Sequence, residues 1–75
     1  MIKAVTEIIK EIIEDNGEKL TVEITKEIQL RDLGLSSFDL ATLTVKIEDE
    51  FDVDIFEDGL VSTIGEIIEV LEANV

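Results

Sequence analysis

Isoleucine and valine recur at three- and four-residue intervals near the start of the chain, and this spacing restricts the fold more than any other feature. The residues that share this apolar face are Ile2, Val5, Ile8, Ile9, Ile12 and Ile13. Charged residues fall between them, on the opposite face. The pattern predicts an amphipathic helix over residues 2–14. Asn16 and Gly17 should end it, because both tolerate the left-handed backbone conformation that a helix end often needs.

A second helix is predicted to begin at Ser37. Ser36 should cap it, because a serine hydroxyl there accepts from a free backbone N–H group, and Asp39 follows at the position from which a side chain reaches back. The predicted buried stripe is Leu40, Leu43, Thr44, Ile47 and Phe51. The outer flank, which a partner can reach, contains Ala41, Thr42, Val45, Glu48 and Asp49. For Phe38, a core position and a ligand contact remain equally open.

The last helix opens with the same kind of signal. Thr63 is a capping residue, and Glu66 stands three residues later, which completes a capping box. The apolar face of this helix is predicted to contain Ile64, Ile67, Ile68 and Leu71. Between Ile55 and Ile64, apolar residues around Gly59 indicate a short irregular or single-turn helical element.

The segment from residue 18 to residue 36 is ambiguous by pattern. Leu20, Val22 and Ile24 alternate with polar residues, which is typical of a half-buried strand. No second alternating run offers a partner strand, so a core-anchored loop with a short turn near residues 26–30 is favoured. The predicted anchors are Ile28, Leu30, Leu33 and Leu35. Gly34 should supply the freedom to turn into the second helix.

Together these segments predict an all-α fold. It is a small bundle of three main helices and a short fourth helical element, with a long loop between the first and second helices. The 75 residues are expected to form one domain, 1–75, near the size at which a single core gives only a modest margin of stability.

Charge is distributed unevenly along the chain, whose net charge is −13. Residues 1–36 carry eight acids and five bases, whereas residues 37–75 carry eleven acids and one base. A strongly acidic surface attracts cationic partners and speeds their encounter. Solubility alone is the other explanation, since small acidic domains are often simply soluble. With no basic patch, tryptophan or tyrosine, nucleic acid is not an expected partner.

Composition also bears on location and cofactors. The chain has no cysteine, which excludes disulfides and thiolate metal sites and is compatible with a reducing cytoplasm. No apolar run approaches the length of a membrane span, and the first residues do not form a signal peptide. We therefore expect a cytoplasmic monomer without a membrane span.

Ser37 lies at a predicted helix start in a chain without histidine. A serine hydroxyl is a poor nucleophile until a nearby base removes its proton, so a serine hydrolase is disfavoured and no catalytic residue is predicted. Ser37 is better interpreted as a serine that another enzyme modifies.

The sequence Asp52-Val53-Asp54 suggests a calcium loop, but the rest of the loop is missing. Phe56, Glu57 and Thr63 stand where a ligand, a glycine and a closing carboxylate are needed. No metal site is predicted.

Residues 32–40 read Asp-Leu-Gly-Leu-Ser-Ser-Phe-Asp-Leu and are followed by Glu-Asp-Glu-Phe at 48–51 and Thr-Ile-Gly-Glu at 63–66. This sequence resembles the acyl carrier protein family over nearly the whole chain, most specifically over residues 30–56. Ser36 replaces the aspartate usual before the modified serine, and Phe38 replaces a leucine. The stretch between the second and last helices is about two residues shorter than usual. The resemblance implies that Ser37 carries 4′-phosphopantetheine, derived from coenzyme A, whose thiol holds acyl groups as thioesters.

The resemblance also implies partners. A phosphopantetheinyl transferase would attach the group, and acyl-transferring and synthase enzymes of fatty acid, polyketide or related lipid biosynthesis would dock through basic patches. The residues expected to meet these patches are Asp39, Ala41, Val45, Glu48 and Asp49. Two alternatives stay open: an acidic helical interaction module without a prosthetic group, and a peptidyl or aminoacyl carrier domain.

Overall fold

Three α-helices make up most of the chain. The computed structural model describes residues 1–57 and 61–74. Its helices are α1 (Ile2–Asp15), α2 (Ser37–Phe51) and α3 (Ile64–Ala73), with a 3-10 helix at Leu30–Leu33. No β-strand occurs in these ranges. The predicted all-α bundle of three main helices with a long loop between the first and second is therefore confirmed.

The end of α1 lies one residue beyond the predicted end. Gly17 adopts the left-handed conformation with φ of 80°, whereas Asn16 has an ordinary φ of −83°. The N–H of Gly17 donates to the carbonyl oxygen of Glu14 at 3.0 Å. Glycine lacks the Cβ atom that makes this conformation costly, so Gly17 turns the chain away from the helix.

All three helices contribute to one apolar core. α1 packs against both α2 and α3, and its predicted apolar face is buried except for Ile2, which is half-buried. The predicted stripe of α2 is also confirmed, with Leu43 and Ile47 fully buried and the others half-buried. The buried residues of α3 are Ile64, Ile67, Ile68 and Leu71, as predicted. Burial of such side chains is the main term that stabilises a domain of this size.

The long loop is anchored to the core and to the start of α3. Of the predicted anchors, Leu30 is buried and the other three are half-buried against the core. Ile24, which was not predicted as an anchor, is buried as well. The alternating residues Leu20, Val22 and Ile24 form no strand. The backbone of residues 26–30 bonds to the start of α3, where an antiparallel bridge pairs Gln29 with Thr63. Gly34 has a φ of 73°, which confirms its predicted role in turning the chain toward α2.

The predicted short element between Ile55 and Ile64 falls partly on residues 58–60, which lie outside the described residues. Residues 55–57 form a turn, in which the N–H of Phe56 donates to Oδ1 of Asp54 at 2.9 Å. The short 3-10 helix at Leu30–Leu33 instead follows the turn predicted near residues 26–30. No helix within the described ranges has the length and apolar character needed to cross a bilayer.

Candidate functional site

The start of α2 is fixed by a capping box. The hydroxyl oxygen of Ser36 accepts from the backbone N–H of Asp39 at 3.1 Å. In return, Oδ2 of Asp39 accepts from the backbone N–H of Ser36 at 3.0 Å. Ser36 has extended backbone angles, as a capping residue does. The predicted cap and the predicted first residue of α2 are both confirmed.

Ser37 is the first residue of α2 and its side chain is exposed. The first N–H groups of a helix have no partner within the helix, and the capping box uses only that of Asp39. The N–H groups of Ser37 and Phe38 therefore lie at the positive end of the helix dipole without a role in the cap. An exposed hydroxyl in this position suits a phosphodiester, because both the N–H groups and the dipole stabilise its negative charge.

Asp39, one of the residues predicted to bind partners, lies in the first turn of α2. Its side chain is only 6% exposed, which makes it the one buried polar side chain among the described residues. Its Oδ1 atom accepts from the side-chain amide of Asn16 at 3.0 Å. The backbone N–H of Ser36 and then the Asn16 amide lower the pKa of Asp39 below its usual value. Both oxygens of this carboxylate are therefore engaged within the fold, and the contact of Asp39 with a partner stays a prediction.

The outer flank of α2 is apolar next to Ser37. The side chain of Phe38 is 78% exposed and that of Val45 is 62% exposed. These two line a shallow depression of about 500 Å³ whose other lining residues are Ala41, Thr42, Lys46 and Asp49. Of the predicted partner-binding residues, the structure therefore brings Ala41, Val45 and Asp49 together. Glu48 is exposed on the same helix but does not line the depression.

Phe38 belongs to this flank, and the sequence left its place open. Its exposure is explained by its position: it lies three residues before Ala41 and seven before Val45, which places all three on one face of a helix. This spacing can be seen in the sequence, and it favours a place for Phe38 on the outer flank of α2 over a place in the core.

Lys46 was not predicted to belong to the flank. Its Nζ atom lies 2.9 Å from Oε1 of Glu11, so this ion pair joins α1 to α2. The hydrogen bond to Glu11 raises the pKa of Lys46 above its usual value. Lys46 is the one base after residue 36 in the sequence, and Glu11 partly compensates its charge.

A second depression is lined by residues of the loop before α2, the first turn of α2 and the segment before α3. It has a volume of about 220 Å³, and its apolar lining comes from Leu30, Leu35, Leu40 and Val61. Arg31 and Gln29 also line it. Leu35 and Leu40 stand two residues before and three residues after Ser37. Apolar side chains close to Ser37 in the sequence thus border a partly enclosed depression.

Comparison with known proteins gives one consistent result. A family model described as "Phosphopantetheine attachment site" matches residues 3–71. The acyl carrier protein of Lactococcus lactis subsp. cremoris strain MG1363 is 34% identical over 71 residues, which cover 95% of this chain and 97% of the relative. The acyl carrier protein of Streptococcus pyogenes serotype M3 is 35% identical over 69 residues, or 92% of this chain and 93% of the relative. No solved structure gives a significant match.

Proposed function

Since this chain belongs to the acyl carrier protein family, we propose that its function is to carry acyl groups as thioesters on a 4′-phosphopantetheine attached to Ser37. The observation that carries the assignment to Ser37 is the exposed hydroxyl at the capped start of α2. Ser36 is the neighbouring serine, but its hydroxyl is engaged with the N–H of Asp39. The chain is a carrier and not a catalyst.

Each residue at the start of α2 has a separate task in this proposal. Ser37 supplies the oxygen that is esterified, and the free N–H groups of the first turn stabilise the negative charge of the phosphodiester. When bound, the prosthetic group supplies a terminal thiol that holds the acyl group as a thioester. Ser36 and Asp39 keep the helix start intact. The chain has no histidine and no cysteine, so it supplies neither an imidazole base nor a thiol of its own to attack the thioester.

We propose that partner enzymes dock on the outer flank of α2. The partners are the phosphopantetheinyl transferase and the acyl-transferring and synthase enzymes that use the loaded arm. Phe38, Ala41 and Val45 offer an apolar centre, and exposed aromatic residues often dominate such contacts. Glu48 and Asp49 add negative charge for basic patches, which speeds association. Asp39 is left out because its carboxylate is buried.

Residues 1–75 act as one carrier domain, in the cytoplasm. One apolar core shared by three helices supports the single domain. The depression beside Leu35 and Leu40 supports an acyl cargo, because it offers apolar surface near the attachment point.

The test of the attachment site is the intact mass after incubation with coenzyme A and a promiscuous phosphopantetheinyl transferase. We expect the wild-type chain to gain one phosphopantetheine, Ser37→Ala to gain none, and the matched variant Ser36→Ala to load. Loading that survives Ser37→Ala but not Ser36→Ala would move the site to Ser36. A wild-type chain that gains no mass with several transferases would favour an interaction module without a prosthetic group.

The docking flank has its own test. Phe38→Ala should raise the transferase concentration needed for half-maximal loading by about tenfold, as the loss of an exposed aromatic contact often does. Val22→Ala is the matched control, because Val22 is also exposed, at 51%, but lies in the loop before α2. Equal effects of the two variants would exclude the flank as the docking surface.

A further inference from the structure

The start of α2 is held by two sets of hydrogen bonds, one local and one long-range. The local set is the capping box between Ser36 and Asp39. The long-range bond joins the side-chain amide of Asn16 to Oδ1 of Asp39 at 3.0 Å, across 23 residues of sequence. The two carboxylate oxygens therefore have different partners: one holds the helix cap, and the other holds the end of α1.

The long-range bond links the start of α2 to the end of α1. A cap orders the first turn of a helix, but it does not determine where that turn lies relative to a neighbouring helix. Asn16 is the C-terminal capping residue of α1, and Asp39 is 6% exposed. A carboxylate removed from water is costly unless it is hydrogen-bonded, so the buried Asp39 favours the arrangement in which the Asn16 amide reaches it.

Ser37 lies between the two residues of the capping box. A shift of Asp39 relative to α1 therefore moves Ser37 together with the first turn of α2. We propose that Asn16 is a positioning residue for the modification of Ser37, acting through the carboxylate of Asp39 and the backbone of Ser36. This inference rests on the proposed attachment at Ser37 and adds a residue that lies outside the α2 motif.

The step that Asn16 assists is a phosphoryl-group transfer on the transferase. The hydroxyl oxygen of Ser37 forms a bond to the phosphorus of coenzyme A that bears the pantetheine. The bond from that phosphorus to the adenosine 3′,5′-bisphosphate breaks, and the hydroxyl proton passes to a base of the transferase. Small errors in the position of an attacking oxygen reduce such rates strongly, since reaction needs a near-attack geometry.

The experiment measures single-turnover loading with excess transferase and coenzyme A, at a temperature where each variant is folded by circular dichroism. Asn16→Ala should lower the maximal rate by about tenfold. The transferase concentration at half-maximal rate should change by less than about twofold, because the docking flank of α2 is untouched. A residue that only stabilises the fold would not separate these two quantities in folded protein.

Asn74→Ala is the matched control. Asn74 is the C-terminal capping residue of α3, and its amide donates to the carbonyl oxygen of Val70 at 2.7 Å. Both variants remove an asparagine from a helix end, but only Asn16 contacts Asp39. If Asn16→Ala does not fold, Asn16→Ser removes the same amide and keeps a small polar side chain at this exposed position.

A pair of variants at Asp39 tests whether Asn16 acts on Ser37 through the side chain of Asp39. An asparagine at this position can accept from the N–H of Ser36 with its oxygen and donate to the Asn16 amide oxygen after that amide rotates. Asp39→Asn should therefore recover most of the rate that Asp39→Ala loses. Equal rates in these two variants would show that the hydrogen bonds of Asp39 do not transmit the effect.

The remaining outcomes separate this inference from the proposed function. Normal loading of Asn16→Ala, a change in half-saturation alone, or an equal loss in Asn74→Ala would overturn the role of Asn16 and leave Ser37 as the attachment site. A wild-type chain that is never loaded would overturn both.

Discussion

The starts of α2 and α3 carry the same capping box but have opposite surroundings. In α2, Ser36 and Asp39 bond reciprocally, and in α3, Thr63 and Glu66 do the same. The residue that follows the capping residue is the exposed Ser37 in α2. In α3 it is Ile64, which is fully buried. The same local motif thus starts an accessible helix in one place and a covered helix in the other.

The loop between α1 and α2 explains the difference. The N–H of Ile64 donates to the carbonyl oxygen of Ile28 at 3.0 Å, and that of Gly65 donates to the carbonyl oxygen of Lys26 at 2.9 Å. The first N–H groups of α3 are therefore satisfied by the loop. The loop does not bond to the N–H groups of Ser37 and Phe38 at the start of α2, so these groups are available for an anion. A capping box fixes where a helix starts, and the rest of the fold decides whether that start can bind anything.

Substitutions at the second residue of α2 and of α3 should give the largest difference in the free energy of unfolding between the two helix starts. A Cβ atom on Gly65 would lie 3.1 Å from the carbonyl oxygen of Lys26. We expect Gly65→Val to reduce the free energy of unfolding by about 1–3 kcal/mol, because the added atoms displace the loop. Phe38→Val, at the matched position of α2, should change it by less than about 0.5 kcal/mol. Urea unfolding measures both, and equal losses would mean that the loop does not cover α3 more tightly than α2.

The capping residues should give a smaller and more even effect on stability. Thr63→Ala and Ser36→Ala each remove one hydroxyl acceptor, and each should reduce the free energy of unfolding by about 1 kcal/mol. Only Ser36→Ala should also slow loading of Ser37, because only its helix carries the modified serine. Urea unfolding and single-turnover loading distinguish the two. Slower loading of Ser37 in Thr63→Ala would contradict the claim that only the cap of α2 affects this modification.

The sequence predicted what depends on nearby residues. Both capping boxes follow from a serine or threonine with an acid three residues later, and the helices follow from the spacing of apolar residues. The left-handed turn at Gly34 was equally local. These features need no knowledge of the partner segment, so the sequence alone was sufficient for them.

The sequence failed where the outcome depends on packing between segments. The burial of Asp39 requires the end of α1 to meet the start of α2, and the sequence of α2 alone did not indicate it. The cover over α3 arises from carbonyl groups of Lys26 and Ile28, and backbone groups carry no sequence signal. Lys46 pairs with Glu11 across 35 residues, which no local spacing indicates.

Low pH should weaken the capping boxes at the starts of α2 and α3. The two differ in that Asn16 donates to Asp39 of α2. Backbone N–H groups lower the pKa of Asp39 and of Glu66 below their ordinary values of 3.8 and 4.5. A carboxyl group with a lowered folded-state pKa stabilises the fold above its ordinary pKa, and this contribution is lost as the pH falls through the lowered value. Melting temperature should therefore drop below about pH 4.5.

Variants and NMR titration sharpen this prediction. Asn16→Ala removes one of the donors to Asp39 and should raise the pKa of Asp39 while leaving that of Glu66 unchanged. The carboxyl carbon shifts of both residues, followed against pH, measure the two values. A parallel rise in both would mean that the variant loosens the whole bundle and does not act on Asp39 alone.

Salt should have the smallest effect and should not distinguish the two starts. Both lie in the half of the chain after residue 36, where eleven acids face one base, and mobile cations screen the repulsion among these acids. Melting temperature should rise gradually with sodium chloride, and millimolar magnesium or calcium should act alike, because the residues after Asp52 do not complete a calcium loop. The rise should be the same in wild type, Ser36→Ala and Thr63→Ala. A melting temperature that does not change with salt would show that repulsion among these acids does not destabilise the fold. A saturable rise with calcium that magnesium does not reproduce would reveal a specific calcium site.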